Sequence, residues 1–196
     1  AVCVIGTSNV KQAKPDGYTL LSGTATSLVA GSIIARDKTS YDAEKDFRPV
    51  ALMFYNVDGL VASTGLAANS VNELKAFAQA NPGKLNFGTL GPGTTTDLFR
   101  EWIARDWGAK ITAIPYKGGP QITTALMANE VHITRFGLGS LGGQIKSGLV
   151  KVLAVGSSQR SRMLPSVTTF AETGIGFPIK VWWGLFAPAG TPDAIV

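Results

Sequence analysis

The sequence alternates short apolar runs with longer segments in which apolar residues recur at helical spacing. Short apolar runs predict buried β-strands, and the longer periodic segments predict amphipathic helices. The predicted strands are 18–21, 47–54, 59–63, 84–89, 111–115, 131–136 and 151–155. The predicted helices are 70–80, 94–107, 119–129 and 138–147. Strands separated by such helices are joined by crossover connections, so the predicted fold class is α/β with mostly parallel sheets.

The segment 70–80 carries the clearest helix signals. Ser70 is followed three residues later by Glu73, which is the spacing of a capping box, and the segment ends at Asn81-Pro82-Gly83. Such a cap and stop fix both ends of a helix, so this element is predicted with its boundaries.

Composition and charge exclude several functional classes. Hydrophobic residues make up 45% of the 196 residues, yet no stretch approaches the roughly 20 apolar residues that span a bilayer. The single Cys3 excludes an internal disulfide, and the single His132 leaves no zinc-binding cluster, so neither a metal nor a cofactor is predicted. His132 is expected to be a hydrogen-bonded structural side chain. The net charge of +5 comes from dispersed cations, which favours a small anion over a nucleic acid.

Two loops rich in small and hydroxyl side chains follow predicted strands, and each opens a helical segment. They are 22–27, which contains Thr24, Ala25 and Thr26, and 90–96, which contains Gly93, Thr94 and Thr95. Backbone N–H groups and hydroxyls at helix N-termini are suited to binding an anion. Ordinary helix caps and turns use the same residues, so either interpretation fits one loop alone.

Two further strand ends carry candidate ligand-binding residues. Tyr116 and Lys117 follow the strand 111–115, where they offer an aromatic ring and a cation. Arg135 and Phe136 end the strand 131–136. The Arg135 guanidinium is suited to a bidentate contact with a carboxylate, and the alternative is a salt bridge at a lobe surface or between lobes.

One motif indicates a different function. Residues 137–142 match the G-x-G-x-x-G dinucleotide fingerprint, but Gly156, Ser157 and Ser158 stand where an acidic residue should follow the next strand. The phosphate loop, the nucleophile elbow and the H-E-x-x-H zinc motif are all absent from the sequence. The sequence therefore predicts a protein that is not an enzyme, with a nucleotide-cofactor enzyme using Gly137 to Gly142 as the alternative.

From residue 14 onward the sequence resembles the Bug family, the tricarboxylate-binding receptors of tripartite tricarboxylate transporters. The order and spacing of short segments across nearly the whole chain carry this resemblance. The segments are KPDGYTLL (14–21), KDFRPV (45–50), SVNEL (70–74), PGKLNF (82–87), GPGTT (91–95), PYKGG (115–119), IKSG (145–148), LAV (153–155) and WGLFAPAGTP (183–192).

The resemblance implies a type II periplasmic-binding-protein fold, with two lobes joined by two crossing strands. The first lobe would comprise 1–60 with 179–196, and the second 61–178. By resemblance, Thr24, Ala25 and Thr26 would line one side of the ligand cleft and Gly93, Thr94 and Thr95 the other. The chain would begin after the family's first strand and end before its closing helices, so the first lobe is expected to be incomplete.

The resemblance also implies a function. The protein would be a monomeric periplasmic receptor, although this chain shows no signal peptide, and would deliver a small carboxylate to the subunits of a membrane transporter. The ligand would be a di- or tricarboxylate, or an aromatic or aliphatic acid. The effector-sensing domain of a regulator, which shares the two-lobed fold, is a further alternative.

The sequence departs from the family pattern at two positions. Many relatives carry an aspartate where this chain has Phe136, and Asp97 stands where relatives often have histidine. An aspartate at the first position meets an amino group on the ligand. Its absence, together with the gain of Arg135, predicts a plain carboxylate without an amino group, with an apolar or aromatic body stacked on Phe136.

Overall fold

The computed structural model describes residues 4–34 and 39–196. The chain divides into two compact units. Unit 1 comprises residues 1–56, 93–95 and 180–196, and unit 2 comprises residues 57–92 and 96–179. The lobe boundaries at 60/61 and 178/179 stay a prediction.

Eight strands and six α-helices are formed by the described residues. The strands are β1 Leu21–Thr24, β2 Phe47–Tyr55, β3 Asp58–Ser63, β4 Leu85–Thr89, β5 Ile111–Pro115, β6 Ile133–Gly137, β7 Val150–Val155 and β8 Trp182–Pro188. The α-helices are α1 Val4–Lys11, α2 Gly31–Ile34, α3 Val71–Ala80, α4 Thr95–Asp106, α5 Gly119–Met127 and α6 Gly142–Lys146. A π-helix, Ala25–Ala30, leads into α2, and short 3₁₀ helices form at Leu138–Leu141 and Ala171–Thr173.

Unit 1 is built on a three-stranded sheet in the order β1-β8-β2. β8 runs antiparallel to both neighbours, with Leu21 opposite Phe186 and Tyr55 opposite Trp182. Its core contains Leu21, Leu28, Tyr41 and Phe47. The Tyr41 hydroxyl donates a hydrogen bond to the carbonyl of Ser27 at 2.6 Å, so the residues after β1 are tied to this core.

Unit 2 is built on a five-stranded sheet in the order β5-β4-β6-β3-β7. β4 pairs in parallel with β5 and β6, whereas β3 is antiparallel to both β6 and β7. All six residues of β3 are buried, as expected for a strand between two others with both faces covered. Helices α3 and α4 bury Leu74 and Phe99 on one face, and α5 buries Leu126 in the cluster on the other.

The prediction of mostly parallel sheets needs a correction. It holds for β4, β5 and β6, but each sheet contains a strand that opposes its neighbours, β3 in unit 2 and β8 in unit 1. β3 is the first strand along the chain after the passage at 56/57, and β8 is the first after the passage at 179/180. Neither is reached through a crossover helix within its own sheet, so the rule that makes sequential strands parallel does not apply to it.

The first predicted strand is displaced by three residues. The prediction was 18–21, but β1 begins at Leu21 and the Tyr18 side chain is 93% exposed. The strand that forms includes Gly23, where a Cβ would lie 2.5 Å from Leu28 and 2.9 Å from Phe186. Only a residue without a side chain lets the strand approach them so closely. Helix α1 was not predicted as an element, and strand β8 was predicted only through the resemblance, as the crossing strand near 178–186.

The predicted helix 70–80 is confirmed as α3, with Ser70 as its N-cap. The Ser70 hydroxyl accepts a hydrogen bond from the Glu73 N–H at 3.2 Å. The Glu73 carboxylate accepts one from the N–H of Asn69 at 2.8 Å, one residue before the cap. The sequence signals of a capping box therefore correspond to real contacts.

His132 has the structural role that the sequence predicts. Its Nδ1 accepts a hydrogen bond from the backbone N–H of Asn86 at 2.9 Å, and its own backbone N–H donates to the Asn86 carbonyl at 2.9 Å. A ring nitrogen that accepts a hydrogen bond carries no proton, so the ring is neutral in the folded protein. Burial lowers the pKa of His132 below its ordinary value of 6.5.

We expect the free energy of unfolding to fall as the pH drops from about 6.5 to about 5.5. In this range the unfolded chain binds more protons at the His132 imidazole than the folded chain does, because folding lowers the pKa of this group. In the His132→Asn variant an amide oxygen can accept the Asn86 N–H without titrating, so this decline should be much smaller. Urea unfolding at pH 7.5, 6.5 and 5.5 measures both proteins. Equal declines in the two would contradict the assignment.

Candidate functional site

The parallel strands of unit 2 bring several predicted site residues to one edge of the sheet. The carboxyl ends of β4, β5 and β6 point the same way, and the Tyr116 N–H donates to the Thr89 carbonyl at 2.9 Å. Asp58, at the start of the antiparallel β3, pairs with Gly137 at the same edge. Ligands of open α/β sheets bind beyond this edge, so Tyr116, Lys117 and Phe136 are in a suitable place.

The loop after β1 is organised by its own hydroxyls. The Thr24 hydroxyl accepts a hydrogen bond from the Ser27 N–H at 3.2 Å, and the Ser27 hydroxyl accepts one from the Thr24 N–H at 3.0 Å. Thr24 is therefore a helix N-cap, and Ala25 is buried with 4% of its surface exposed. Ser27 was not among the predicted residues, although the spacing Thr24-x-x-Ser27 is that of a capping box.

The loop after β4 also supports itself. The Leu90 N–H donates to the Thr96 hydroxyl at 3.1 Å, and the Gly91 N–H donates to the Thr89 hydroxyl at 3.2 Å. Gly91 and Gly93 have φ angles of 101° and 76°, which glycine adopts without strain. These residues lead directly into α4.

Three residues of the second loop, Gly93–Thr95, belong to unit 1. There the Thr26 hydroxyl donates to the Thr95 hydroxyl at 3.4 Å, a long hydrogen bond. A Cβ at Gly93 would lie 3.3 Å from the Ile34 side chain, and Thr94 is only 3% exposed. The structure thus brings together the two hydroxyl-rich stretches that the sequence predicts as ligand-binding.

Asp97 lies in the first turn of α4, close to the second loop. Its carboxylate accepts hydrogen bonds from Arg100 Nε at 3.1 Å and from Arg100 Nη2 at 3.0 Å. Both side chains are mostly buried. The carboxylate is thus neutralised within its own helix.

Tyr116 and Lys117 differ in their surroundings. Tyr116 is half-buried against the cluster that contains Leu126, and burial, aided by the negative charge of Glu130, raises the pKa of its hydroxyl. Lys117 is exposed, and its backbone N–H donates to the Gln121 side chain at 3.0 Å. Lys117 thus provides an exposed positive charge at the carboxyl edge of the sheet.

Phe136 is half-buried, and its ring lies directly over Gly119. A Cβ at Gly119 would be 2.3 Å from the Phe136 Cζ, so the ring occupies the space that a side chain would need. Both residues border a groove of about 430 Å³, whose remaining lining is Pro120, Thr123, Thr124, Met127, Ser140 and Gln144. This lining carries no formal charge, so the groove suits the uncharged part of a ligand rather than its carboxylate.

Arg135, predicted as a candidate ligand contact, is buried and bonded to other residues of its own unit. The residue is 4% exposed, its Nε donates to Asp58 Oδ2, and its Nη2 donates to the Ile179 carbonyl at 3.1 Å. The salt-bridge alternative is the interaction that the structure shows, because Arg135 pairs with Asp58 and both side chains are buried within unit 2. Alternation along β6 places Arg135 on the same face as Ile133, where Phe99 of α4 packs. Asp58 was missed, although it is an acid directly before an apolar strand.

The glycine motif at 137–142 does not adopt the strand-turn-helix of a dinucleotide fingerprint. Gly137 ends β6, Leu138–Leu141 forms a 3₁₀ turn, and α6 extends for only five residues. The fingerprint places a pyrophosphate at the N-terminus of a full helix, which residues 138–146 do not form.

A larger groove, of about 860 Å³, lies in unit 1. It is lined by part of the helical segment after β1, by residues 39–44 and by Trp182 and Phe186. None of the predicted site residues borders it. Two carboxylates, Asp42 and Glu44, lie in this lining and would repel an anionic ligand.

Within residues 4–34 and 39–196, no cluster of three or more His, Cys, Asp or Glu side chains is arranged to hold a metal ion. In the same ranges, no helix has the length and apolar character needed to cross a membrane.

Comparison with known proteins identifies the family. The family model described as "Tripartite tricarboxylate transporter family receptor" matches residues 1–196. A UPF0065 protein of Bordetella pertussis is 36% identical over 197 residues, covering 98% of this chain and 59% of the relative. Protein BugT of the same organism is 31% identical over 194 residues, with 98% and 60% covered.

Solved structures of similar proteins share the fold. An R. palustris protein solved with adipate is 31% identical with a TM-score of 0.88, over 98% of this chain and 64% of that one. MatC of Rhodopseudomonas palustris, solved with bound malate, is 27% identical with a TM-score of 0.85, over 98% and 65%. The periplasmic binding protein BugD is 30% identical with a TM-score of 0.86, over 98% and 64%.

The predicted fold class, α/β of the periplasmic-binding-protein type, is confirmed by these structures. The chain spans about 59% of the length of the first of these curated relatives. The predicted resemblance is confirmed over the whole chain. The chain therefore belongs to the tripartite tricarboxylate transporter receptor family.

Proposed function

We propose that the protein is a periplasmic solute-binding receptor that captures a small carboxylate and delivers it to a membrane transporter. The observation that carries this proposal is the match of the receptor family to all 196 residues. Two of the similar solved structures hold dicarboxylates, adipate and malate. The receptor role requires binding and release, and it requires neither proton transfer nor a covalent step.

We assign the ligand carboxylate to the two hydroxyl-rich loops. The stretches 24–26 and 93–95 stand at the N-terminal ends of helical segments, where the helix dipole favours negative charge. Thr26 and Thr95 supply hydroxyls that can turn from each other to a ligand, because their mutual hydrogen bond is long. Lys117 supplies positive charge, and Arg135 does not contact the ligand.

The remainder of the ligand is assigned to Phe136 and Tyr116. Phe136 presents an apolar ring where many relatives are expected to carry an aspartate, so this position offers no anion to an ammonium group. The groove beside Phe136 has no charged side chain in its lining, which supports the same assignment. The proposed ligand is therefore a carboxylate without an amino group.

We expect small dicarboxylates such as adipate and malate to stabilise the protein. A ligand present at about 100 times its dissociation constant adds about 2.7 kcal/mol to the free energy of unfolding. Thermal unfolding with a panel of dicarboxylates, citrate, amino acids, NAD and NADP measures this effect. Stabilisation by a nucleotide alone would contradict the receptor proposal and favour the enzyme that the motif at 137–142 had indicated.

Replacing the loop hydroxyls should weaken carboxylate binding. The variants Thr26→Val and Thr95→Val keep the side-chain shape but remove a hydrogen bond to a charged group, a loss of about 1.5 kcal/mol or roughly tenfold in affinity. Thr112→Val is the matched control, because its hydroxyl donates to the Gly83 carbonyl near the amino end of β5, away from the loops. Isothermal titration calorimetry compares the three. Equal affinities in all of them would remove these hydroxyls from the site.

The Phe136→Asp variant tests the identity of the ligand. We expect the original protein to prefer succinate and malate over aspartate and glutamate, because it has no acidic partner for the ammonium group. The introduced carboxylate should shift this preference toward the amino acids by about 1.5 to 3 kcal/mol. Phe136→Leu keeps an apolar side chain and should keep the original preference. A preference of the original protein for amino acids would contradict the proposal.

A further inference from the structure

Arg135 lies where the two connections between the units meet unit 2. Apart from the short stretch Gly93–Thr95, the chain passes between the units at 56/57 and at 179/180. Asp58 is the second residue of unit 2 after the first passage, and Ile179 is its last residue before the second. A single guanidinium binds both, through Nε to Asp58 and through Nη2 to the Ile179 carbonyl at 3.1 Å.

Aromatic rings enclose the same guanidinium. Its central carbon lies 4.7 Å from the centroid of Phe177 and 5.0 Å from that of Phe99, within the range of cation–π attraction. Phe177 precedes the second passage, and Phe99 belongs to α4. Because α4 begins at Thr95, Arg135 also contacts the helix that follows a proposed ligand loop.

Backbone hydrogen bonds fix the first connection around Asp58. The Gly156 N–H donates to the Asp58 carbonyl at 2.7 Å, and the Leu138 N–H donates to the Val57 carbonyl at 3.0 Å. A Cβ at Gly156 would lie 2.6 Å from Asp58 Oδ1, so the carboxylate has little room to move. In unit 1 the Asn56 N–H donates to the Val181 carbonyl at 2.8 Å, which joins the two connections a second time.

Stability alone does not account for a buried ion pair at this place. Apolar residues of similar volume often stabilise a core as well as a buried ion pair does. The Arg135 Nη1 is also buried and has no hydrogen-bond partner among the described residues, an unfavourable feature that an apolar side chain would avoid. The rigid fork of an arginine, however, places donors on two chain segments at once, which no apolar residue can do.

We propose that Arg135 is a positioning residue that ties the two connections together, so that both leave unit 2 from one fixed point. Through Phe99 it also links this point to α4 and the proposed ligand loop. The first statement is independent of the ligand. The second rests on the proposed function, because it requires a carboxylate at that loop.

Amide hydrogen exchange of the ligand-free protein tests the first statement. The Asp58→Leu, Arg135→Met double variant removes both charges and leaves no unpaired ion in the core. We expect the amides of Asn56, Leu138 and Gly156 to exchange at least about tenfold faster in it, while the Tyr116 amide keeps its rate. Leu74→Ala is the matched control, since it opens the same core from α3 without touching either connection. Unchanged rates in the double variant, or equal acceleration in Leu74→Ala, would overturn the proposal.

Arg135→Lys separates the two halves of the contact. A lysine can still pair with Asp58 but lacks the second donor direction, so the tie to Ile179 should be lost alone. We expect the Asn56 amide, bonded to Val181 beyond Ile179, to exchange faster, while the Gly156 amide keeps its rate. Simultaneous acceleration of both amides would show that the pair acts only as a general core contact.

A second arm adds adipate or malate at saturation. In the original protein either ligand should slow exchange of the Asn56 amide, and in the double variant most of this protection should disappear although calorimetry still detects binding. Full protection in the double variant would overturn the link to the ligand loop. If the original protein binds neither compound, both the proposed function and the link between Arg135 and the ligand loop are contradicted. The exchange rates of the ligand-free protein still decide whether Arg135 ties the two connections together.

Discussion

The rest of the structure depends on two central strands, β3 in unit 2 and β8 in unit 1, and on their hydrogen bonding to the neighbouring strands of their own sheets. Each strand follows a passage of the chain between units and then lies between two strands of its new sheet. Because both neighbours hydrogen-bond to it, each sheet is continuous only if this strand is in place. Each of these strands runs antiparallel to both of its neighbours. It therefore starts at the end of the sheet where the neighbouring strands finish. The strand that follows each passage is therefore held by backbone hydrogen bonds to two neighbouring strands.

The sequence predicted the fold best where local chemistry determines it. The Ser70 cap and the strand 111–115 follow from capping and apolar pattern, and both lie where predicted. The position of β1 depends instead on its pairing with β8, a distant part of the chain, where Gly23 fits against the Phe186 ring. No local pattern encodes such a contact, which is why that strand was placed three residues too early.

The candidate site shows the same division. The loops at 24–26 and 93–95 were recognisable because small and hydroxyl residues follow strand ends. Which helix covers each face of a strand is not visible in the sequence, and Arg135 lies on the face of β6 that Phe99 of α4 covers. The paired Asp58 lies 77 residues away in the sequence, so only the folded structure shows that the charge of Arg135 is already neutralised.

The contact between Phe136 and Gly119 has a consequence for related sequences. The ring fills the volume that a side chain at position 119 would require, and the pairing of β6 with β3 holds Phe136 opposite Gly59. A homologue with a side chain at position 119 is therefore expected either to turn the ring at position 136 aside or to carry a smaller residue there. The two positions are expected to vary as a pair, so that a change of ligand specificity at one is permitted or blocked by the size of the other.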